Sequence, residues 1–176
     1  MEDLYLNKKE KLIISFVSTK SNTGKTTLIE GLIICLKKRG YSVGVLKHDA
    51  HKFDIDKKGK DSYRFTKAGA DNVIISSPEK LAMVKILQEE IDVEDIIKNF
   101  DEVDIVFIEG FKNNKYPKIE VHRKEIDCKL LFKDDKSNIS TFIAVATDEI
   151  LDLNIPSIDL NNINVIADFI ENYRIL

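Results

Sequence analysis

An apolar run that turns directly into a glycine-lysine loop constrains this chain more than anything else in it. Ile13-Ile14-Ser15-Phe16-Val17 reads as a buried strand, Ser18-Thr19-Lys20-Ser21-Asn22-Thr23-Gly24-Lys25-Thr26-Thr27 as a loop entering a helix, and Leu28 opens that helix's apolar face. A strand that passes into a helix this way leaves unpaired backbone N–H groups at the helix N-terminus, a natural site for phosphate. In the pattern Gly-x-x-x-x-Gly-Lys-[Ser/Thr] those amides cradle phosphate oxygens, the lysine reaches the β and γ phosphates, and the hydroxyl coordinates magnesium. Thr19 stands where the first glycine of that pattern belongs, but Asn22 and Gly24 remain to take left-handed backbone angles. The expected nucleotide-binding residues are therefore Asn22, Thr23, Gly24, Lys25, Thr26 and Thr27, with Thr26 also on the metal.

The flanks support this reading independently. Leu28, Ile29, Leu32, Ile33 and Leu36 recur at helical spacing, Lys37, Lys38 and Arg39 close the last turn, and Gly40 ends the helix before a second strand, Ser42 to Leu46. Strand, loop, helix and strand in that order predict a βαβ unit with parallel strands. Residues 47 to 61 are charged and polar and read as a mobile loop. A short helix capped by Asp61 or Ser62, a strand Asn72 to Ser76, a turn at Pro78, a strand or helix over Leu81 to Leu87, and a helix after Asp92 follow. Val103 to Ile108 forms another central strand that runs into Glu109-Gly110-Phe111. Lys118 to Val121 and Leu130 to Phe132 read as less central strands that project as a hairpin. Thr141 to Ala146 and Ser157 to Leu160 are further strands, and an Asn161-Asn162 cap opens a final helix. The expected fold is a three-layer α/β nucleotide-binding domain with a mainly parallel sheet, one domain over residues 1–176, with a flexible segment at 1–10.

At 176 residues and a net charge of −3, with 43% hydrophobic and 32% charged residues, the chain fits one soluble domain and carries no footprint of nonspecific nucleic-acid binding. No leader pattern and no membrane-length apolar run is present, so a cytoplasmic protein is expected. Cys35 and Cys128 are far apart in sequence and read as free thiols.

Asp49 and Glu109 each follow a predicted strand, at the sheet edge where ligands bind in open α/β sheets. They are the natural magnesium-side pair beside Thr26, since magnesium takes one or two protein carboxylates, phosphate oxygens and water; either could instead cap a helix or orient water. His48, His51, Asp54 and Asp56 form a transition-metal alternative, against a plain solvated loop. Lys20 either reaches a partner's nucleotide or is a solvated lysine. Asp148 follows a late strand and is either a guanine reader, accepting from N1 and N2, or a turn residue.

Several blocks in order, Thr19 to Thr27, Lys47-His48-Asp49-Ala50-His51, Asp56 to Arg64, Ala68-Gly69-Ala70, Glu109-Gly110-Phe111-Lys112, Pro117 to Arg123 and Ala144 to Asp148, make residues 12 to 160 similar to the molybdopterin-guanine dinucleotide biosynthesis protein B family. The resemblance implies a GTP-binding protein, often a homodimer, with slow intrinsic GTP hydrolysis, which assists the guanylyltransferase that joins GMP to molybdopterin. It raises Asp148 as the guanine reader, and together with the site read above it makes GTP and Mg2+ the expected cofactors and Lys25, Asp49 and Glu109 the groups nearest the chemistry. Lys112, Lys118 and Arg123 become candidate contacts for anionic pterin phosphate or for the partner. Thr19 makes hydrolysis less expected than binding. The competing readings are a small-molecule kinase using ATP, with the 47 to 64 loop around its acceptor, and a metallochaperone nucleotidase with nickel or zinc at His48 and His51.

Overall fold

The computed structural model describes residues 11–49, 53, 55–134 and 139–175. The expected flexible segment 1–10 lies outside the described residues, as do His51 and Asp54 of the metal alternative. In chain order the elements are β1 (Leu12–Val17), α1 (Lys25–Lys38), β2 (Val43–Lys47), α2 (Asp61–Lys67), β3 (Asn72–Ser76), β4 (Leu81–Lys85) and α3 (Val93–Ile97). They continue with β5 (Ile105–Glu109), β6 (Lys118–His122), α4 (Leu131–Asp134), β7 (Phe142–Thr147), β8 (Ser157–Asp159) and α5 (Ile163–Ile175). The chain divides into two units, one running up to His48 and resuming at Ile97, the other Asp49 to Ile96.

The first unit is a six-stranded sheet in the order β2-β5-β1-β6-β7-β8, and every neighbouring pair is parallel. Parallel strands carry cover on both faces and so read as near-continuous apolar runs, as Ile105-Val106-Phe107-Ile108 does with all four side chains fully buried. On one face Ile14, Phe16, Phe107 and Ile119 pack with Leu28, Leu32 and Leu36 of α1 and Ile166 and Ile170 of α5. The two helices approach closely because Gly31 has no side chain: a Cβ there would lie 2.9 Å from Ile163 Cδ1. On the other face Val17 packs with Phe132 and Phe142, beside Leu131 of α4 and with Leu153 and Ile155. Helix, sheet and helix form the expected layers.

Because all six strands run the same way, their C-terminal ends lie along one edge. Val17, Lys47, Glu109, His122 and Thr147 are the terminal residues there, held in register by the pairs Lys47↔Glu109, Phe16↔Glu109 and His122↔Thr147. The residues that follow these positions build the candidate site.

The second unit contains α2 and an antiparallel two-stranded sheet in which Asn72 pairs Lys85 and Ser76 pairs Leu81. Pro78 lies in the turn, closed by the Ser77 N–H donating to Lys80 O at 2.8 Å. The Leu81 segment is thus a strand. The cap expected at Asp61 or Ser62 is displaced: Lys60 is the N-cap and offers no side-chain bond, and Asp61 is the first helical residue.

The expected hairpin from Lys118–Val121 and Leu130–Phe132 does not form. The first segment belongs to β6, a central strand between β1 and β7 with all five residues buried, and the second runs into helix α4. Among the described residues the hairpin is β3 with β4 instead.

Candidate functional site at the C-terminal sheet edge

The loop between β1 and α1 is shaped by two left-handed residues. Asn22 has φ 63 and Gly24 has φ 93, the two positions expected to supply such angles, while Thr19 is not among the positive-φ residues, so no glycine is needed at its position. The first helical hydrogen bond, Leu28 N–H to Gly24 O at 2.9 Å, starts α1 directly behind the loop. Thr23 is buried, and its Oγ1 has no partner among the described residues. A buried hydroxyl left unsatisfied is costly, so its place inside the loop suits an incoming polar ligand.

Lys25 folds back over this loop. Its Nζ donates to Ser18 Oγ at 2.6 Å and lies 3.5 Å from Lys20 O, and the Ser18 hydroxyl donates onward to Lys20 O at 2.6 Å. Burial pushes the Lys25 ammonium below the usual lysine range; Glu109 opposes the shift, and Lys112 and Lys47 add to it. A half-buried ammonium with neighbouring cations is stabilised by the arrival of an anion.

On the next strand over, the Thr26 hydroxyl meets the Glu109 carboxylate, 3.0 Å from Oε1 and 3.1 Å from Oε2. Glu109 is fixed as the last residue of β5, where its carbonyl accepts the His48 N–H at 2.9 Å. Gly110 follows with φ 94, and a Cβ there would lie 3.1 Å from His48 O. Phe111 also has positive φ, at 48, and stacks on the His48 ring with centroids 3.9 Å apart. A hydroxyl beside a carboxylate is a hard-oxygen set of the kind magnesium takes, and here both groups are exposed or half-buried rather than sealed. Asp49, the other expected carboxylate, is an exposed residue that opens the second unit.

The far wall of the loop comes from the turn after β6. Asp127 accepts a hydrogen bond from the Lys129 N–H at 3.2 Å and lies 3.7 Å from Lys20 Nζ; the Lys129 bond first, then the Thr19 hydroxyl and the Lys20 charge, hold its carboxyl below the usual range. Lys20 also donates to Ile126 O at 3.4 Å, with its side chain still 60% exposed. Lys112 Nζ reaches Thr19 O at 3.4 Å. Arg123 lies against Gly24 and pairs with Asp148 at 3.3 Å. The Lys124 N–H donates to Asp148 at 3.1 Å, and this bond, followed by the Arg123 charge, lowers the Asp148 carboxyl below its usual range against the effect of burial.

The sequence and the fold together match one family. The model of molybdopterin guanine dinucleotide synthesis protein B covers residues 13–148. The chain belongs to this family, MobB. It is 39% identical over 155 residues to the molybdopterin-guanine dinucleotide biosynthesis adapter protein of Haemophilus influenzae, covering 87% of this chain and 84% of that one. The adapter protein of Escherichia coli is 35% identical over 161 residues, 85% of this chain and 86% of its own. A crystal structure of molybdopterin-guanine biosynthesis protein B superposes with a TM-score of 0.71 at 30% identity, over 92% of this chain and 99% of that one.

Within this MobB chain, one expected contact is overturned. Lys118, considered for pterin phosphate or a partner, is fully buried: its Nζ donates to Asn114 O, to Tyr116 O at 3.3 Å and to Thr141 Oγ1 at 2.9 Å. A lysine so enclosed cannot greet a ligand. Three other residues were missed. Ser18 receives Lys25; Asn114 ties the 111–117 loop by donating to Ser15 Oγ at 2.7 Å and Phe111 O at 2.6 Å; and buried His122 meets Glu149 at 2.9 Å. The serine before Thr19 was visible in the motif, whereas the other two depend on folded partners. Among the described residues no group of three His, Cys, Asp or Glu is arranged to hold a metal ion, and no helix is long and apolar enough to cross a membrane.

Proposed function

We propose that this chain is a cytoplasmic GTP-binding adapter in molybdopterin guanine dinucleotide biosynthesis, with slow GTP hydrolysis of its own, which assists the guanylyltransferase. The observation that carries this reading is the Thr26–Glu109 pair beside Lys25, at one edge of a parallel sheet, in a chain 39% identical to a protein named as such an adapter. Lys25 would exchange Ser18 Oγ for phosphate oxygens, a charge-assisted and stronger bond. The N–H groups of Asn22, Thr23, Gly24, Lys25, Thr26 and Thr27 would line the phosphates, and the spare Thr23 hydroxyl would find its acceptor there. Thr26, Glu109 and Asp49 would hold Mg2+ directly or through its waters; when bound, the ion neutralises phosphate charge. Glu109 and Asp49 are also the groups able to orient a water, and Asp148 would accept from guanine N1 and N2.

Lys112 and Arg123 are candidate cations for molybdopterin phosphate or for the partner. A homodimer is supported by the hairpin, where Ile74, Leu81 and Met83 are each more than half exposed. The test is retention of purified guanylyltransferase on the immobilised chain with and without GTP and magnesium. Nucleotide-dependent retention, lost in Lys25→Ala, is expected; no retention in any nucleotide state contradicts the adapter reading.

A further inference from the structure

The guanidinium of Arg123 stands between the two ends of the proposed nucleotide site. Arg123 follows His122, the last residue of β6. A Cβ built on Gly24 would lie 3.5 Å from its Nε and 3.7 Å from its Nη2, so this edge of the guanidinium rests against the β1–α1 loop. Its Nη1 donates to Asp148 Oδ2 at 3.3 Å. The other oxygen of that carboxylate, Oδ1, is held by the Lys124 N–H at 3.1 Å. Asp148 therefore has one oxygen pinned by backbone and one held by a cation that can leave.

The chemistry of the two donors is the same. Guanine offers N1–H and N2–H side by side, a two-donor edge that suits a carboxylate as the guanidinium fork does. Adenine offers an acceptor and a donor at that edge and cannot replace arginine there. The pair is also weak enough to be replaced: the arginine side chain is 35% exposed and the aspartate 23%, and pairs that solvent reaches contribute little.

We propose that Arg123 is an internal competitor for Asp148 that couples base recognition to phosphate binding. Guanine takes Oδ2 from Arg123, and the released guanidinium, already against Gly24, turns its planar fork to the phosphates held by the loop. A base without phosphate must displace Arg123 and offers it nothing in return. A guanine nucleotide supplies both partners. An adenine nucleotide leaves Arg123 on Asp148 and forgoes its help at the phosphates. This rests on the GTP reading above and names the residue that sharpens its specificity.

The test is calorimetric titration of guanosine and of magnesium-GTP into the full chain, wild type and Arg123→Gln. The expected result has opposite signs: Arg123→Gln weakens GTP about tenfold, the size of one charge-assisted hydrogen bond, and tightens guanosine about threefold. Arg123→Lys, which keeps the charge and loses the fork, shows the same signs at smaller amplitude. Weakening of both ligands together, as a merely structural arginine would give, overturns the proposal, as does no change in either. Absence of GTP binding by the wild type would remove the parent reading as well, and Lys25→Ala, whose ammonium contacts Ser18 and Lys20 rather than Asp148, separates the two failures: it weakens GTP under the parent reading whatever Arg123 does.

Discussion

The Thr26 hydroxyl sits 3.0 and 3.1 Å from the two carboxylate oxygens of Glu109, joining the first turn of α1 to the end of β5. Such a pair preorganises two oxygen donors, one neutral and one charged, before any ligand arrives. Glu109→Gln keeps the shape and removes the charge. The magnesium-dependent part of GTP affinity is expected to fall about tenfold, with binding in EDTA nearly unchanged, as read by titrations with and without the metal.

Thr19→Gly restores the usual first glycine of the motif, yet it should not improve the site. Thr19 needs no positive φ, and its hydroxyl helps to hold the Asp127 carboxyl below its usual range. The substitution trades that hydroxyl for backbone freedom, and GTP affinity should weaken roughly twofold to fivefold in the same titration. Tighter binding would show that the threonine is a defect of the loop.

Lys118→Met tests the reassignment of a residue from surface to core. It removes the buried donor that β6 offers to Asn114 O, Tyr116 O and Thr141 Oγ1, and urea unfolding should show a loss of about 2 to 4 kcal/mol. GTP affinity of the folded variant should stay within about twofold of wild type.

Asp104 carries a pH-dependent share of stability. The Ser42 N–H and hydroxyl, then Arg174, pull its carboxyl from the ordinary 3.8 down to about 2. A carboxyl depressed in the folded state adds stability that is present above its unfolded value and is lost as pH falls through the folded one, so the window is pH 4 to 2. With about a third of the side chain exposed, solvent screening reduces the contribution to about 1 to 2 kcal/mol. Thermal melts across this window should fall more steeply for wild type than for Asp104→Asn, which starts lower at neutral pH.

What the sequence made legible follows from how local each signal is. β1, its loop and α1 are written in contiguous residues, since the apolar run, the left-handed Asn22 and Gly24, and the helical spacing of Leu28, Leu32 and Leu36 all lie within 25 positions. Glu109 was legible because an apolar run marks where a buried parallel strand stops. β6 was not. Lys118-Ile119-Glu120-Val121-His122 alternates like a half-exposed strand, but its polar side chains are all buried and satisfied. Glu120 accepts the Leu131 and Phe132 N–H groups at 2.6 and 2.8 Å, and His122 meets Glu149. A period-two pattern reports polarity, not whether a buried partner waits eleven or more residues away. β3 and β4 show the converse, since Ile74, Ile75 and Leu81 are apolar and yet exposed.

The measurement that bears most directly on the account is a calorimetric comparison of magnesium-GTP and magnesium-ATP on the wild type and Lys25→Ala. GTP binding at least about ten times tighter than ATP, lost by about tenfold or more on removing Lys25, is the expected result. Equal affinity for the two nucleotides, or GTP affinity untouched in Lys25→Ala, would contradict it.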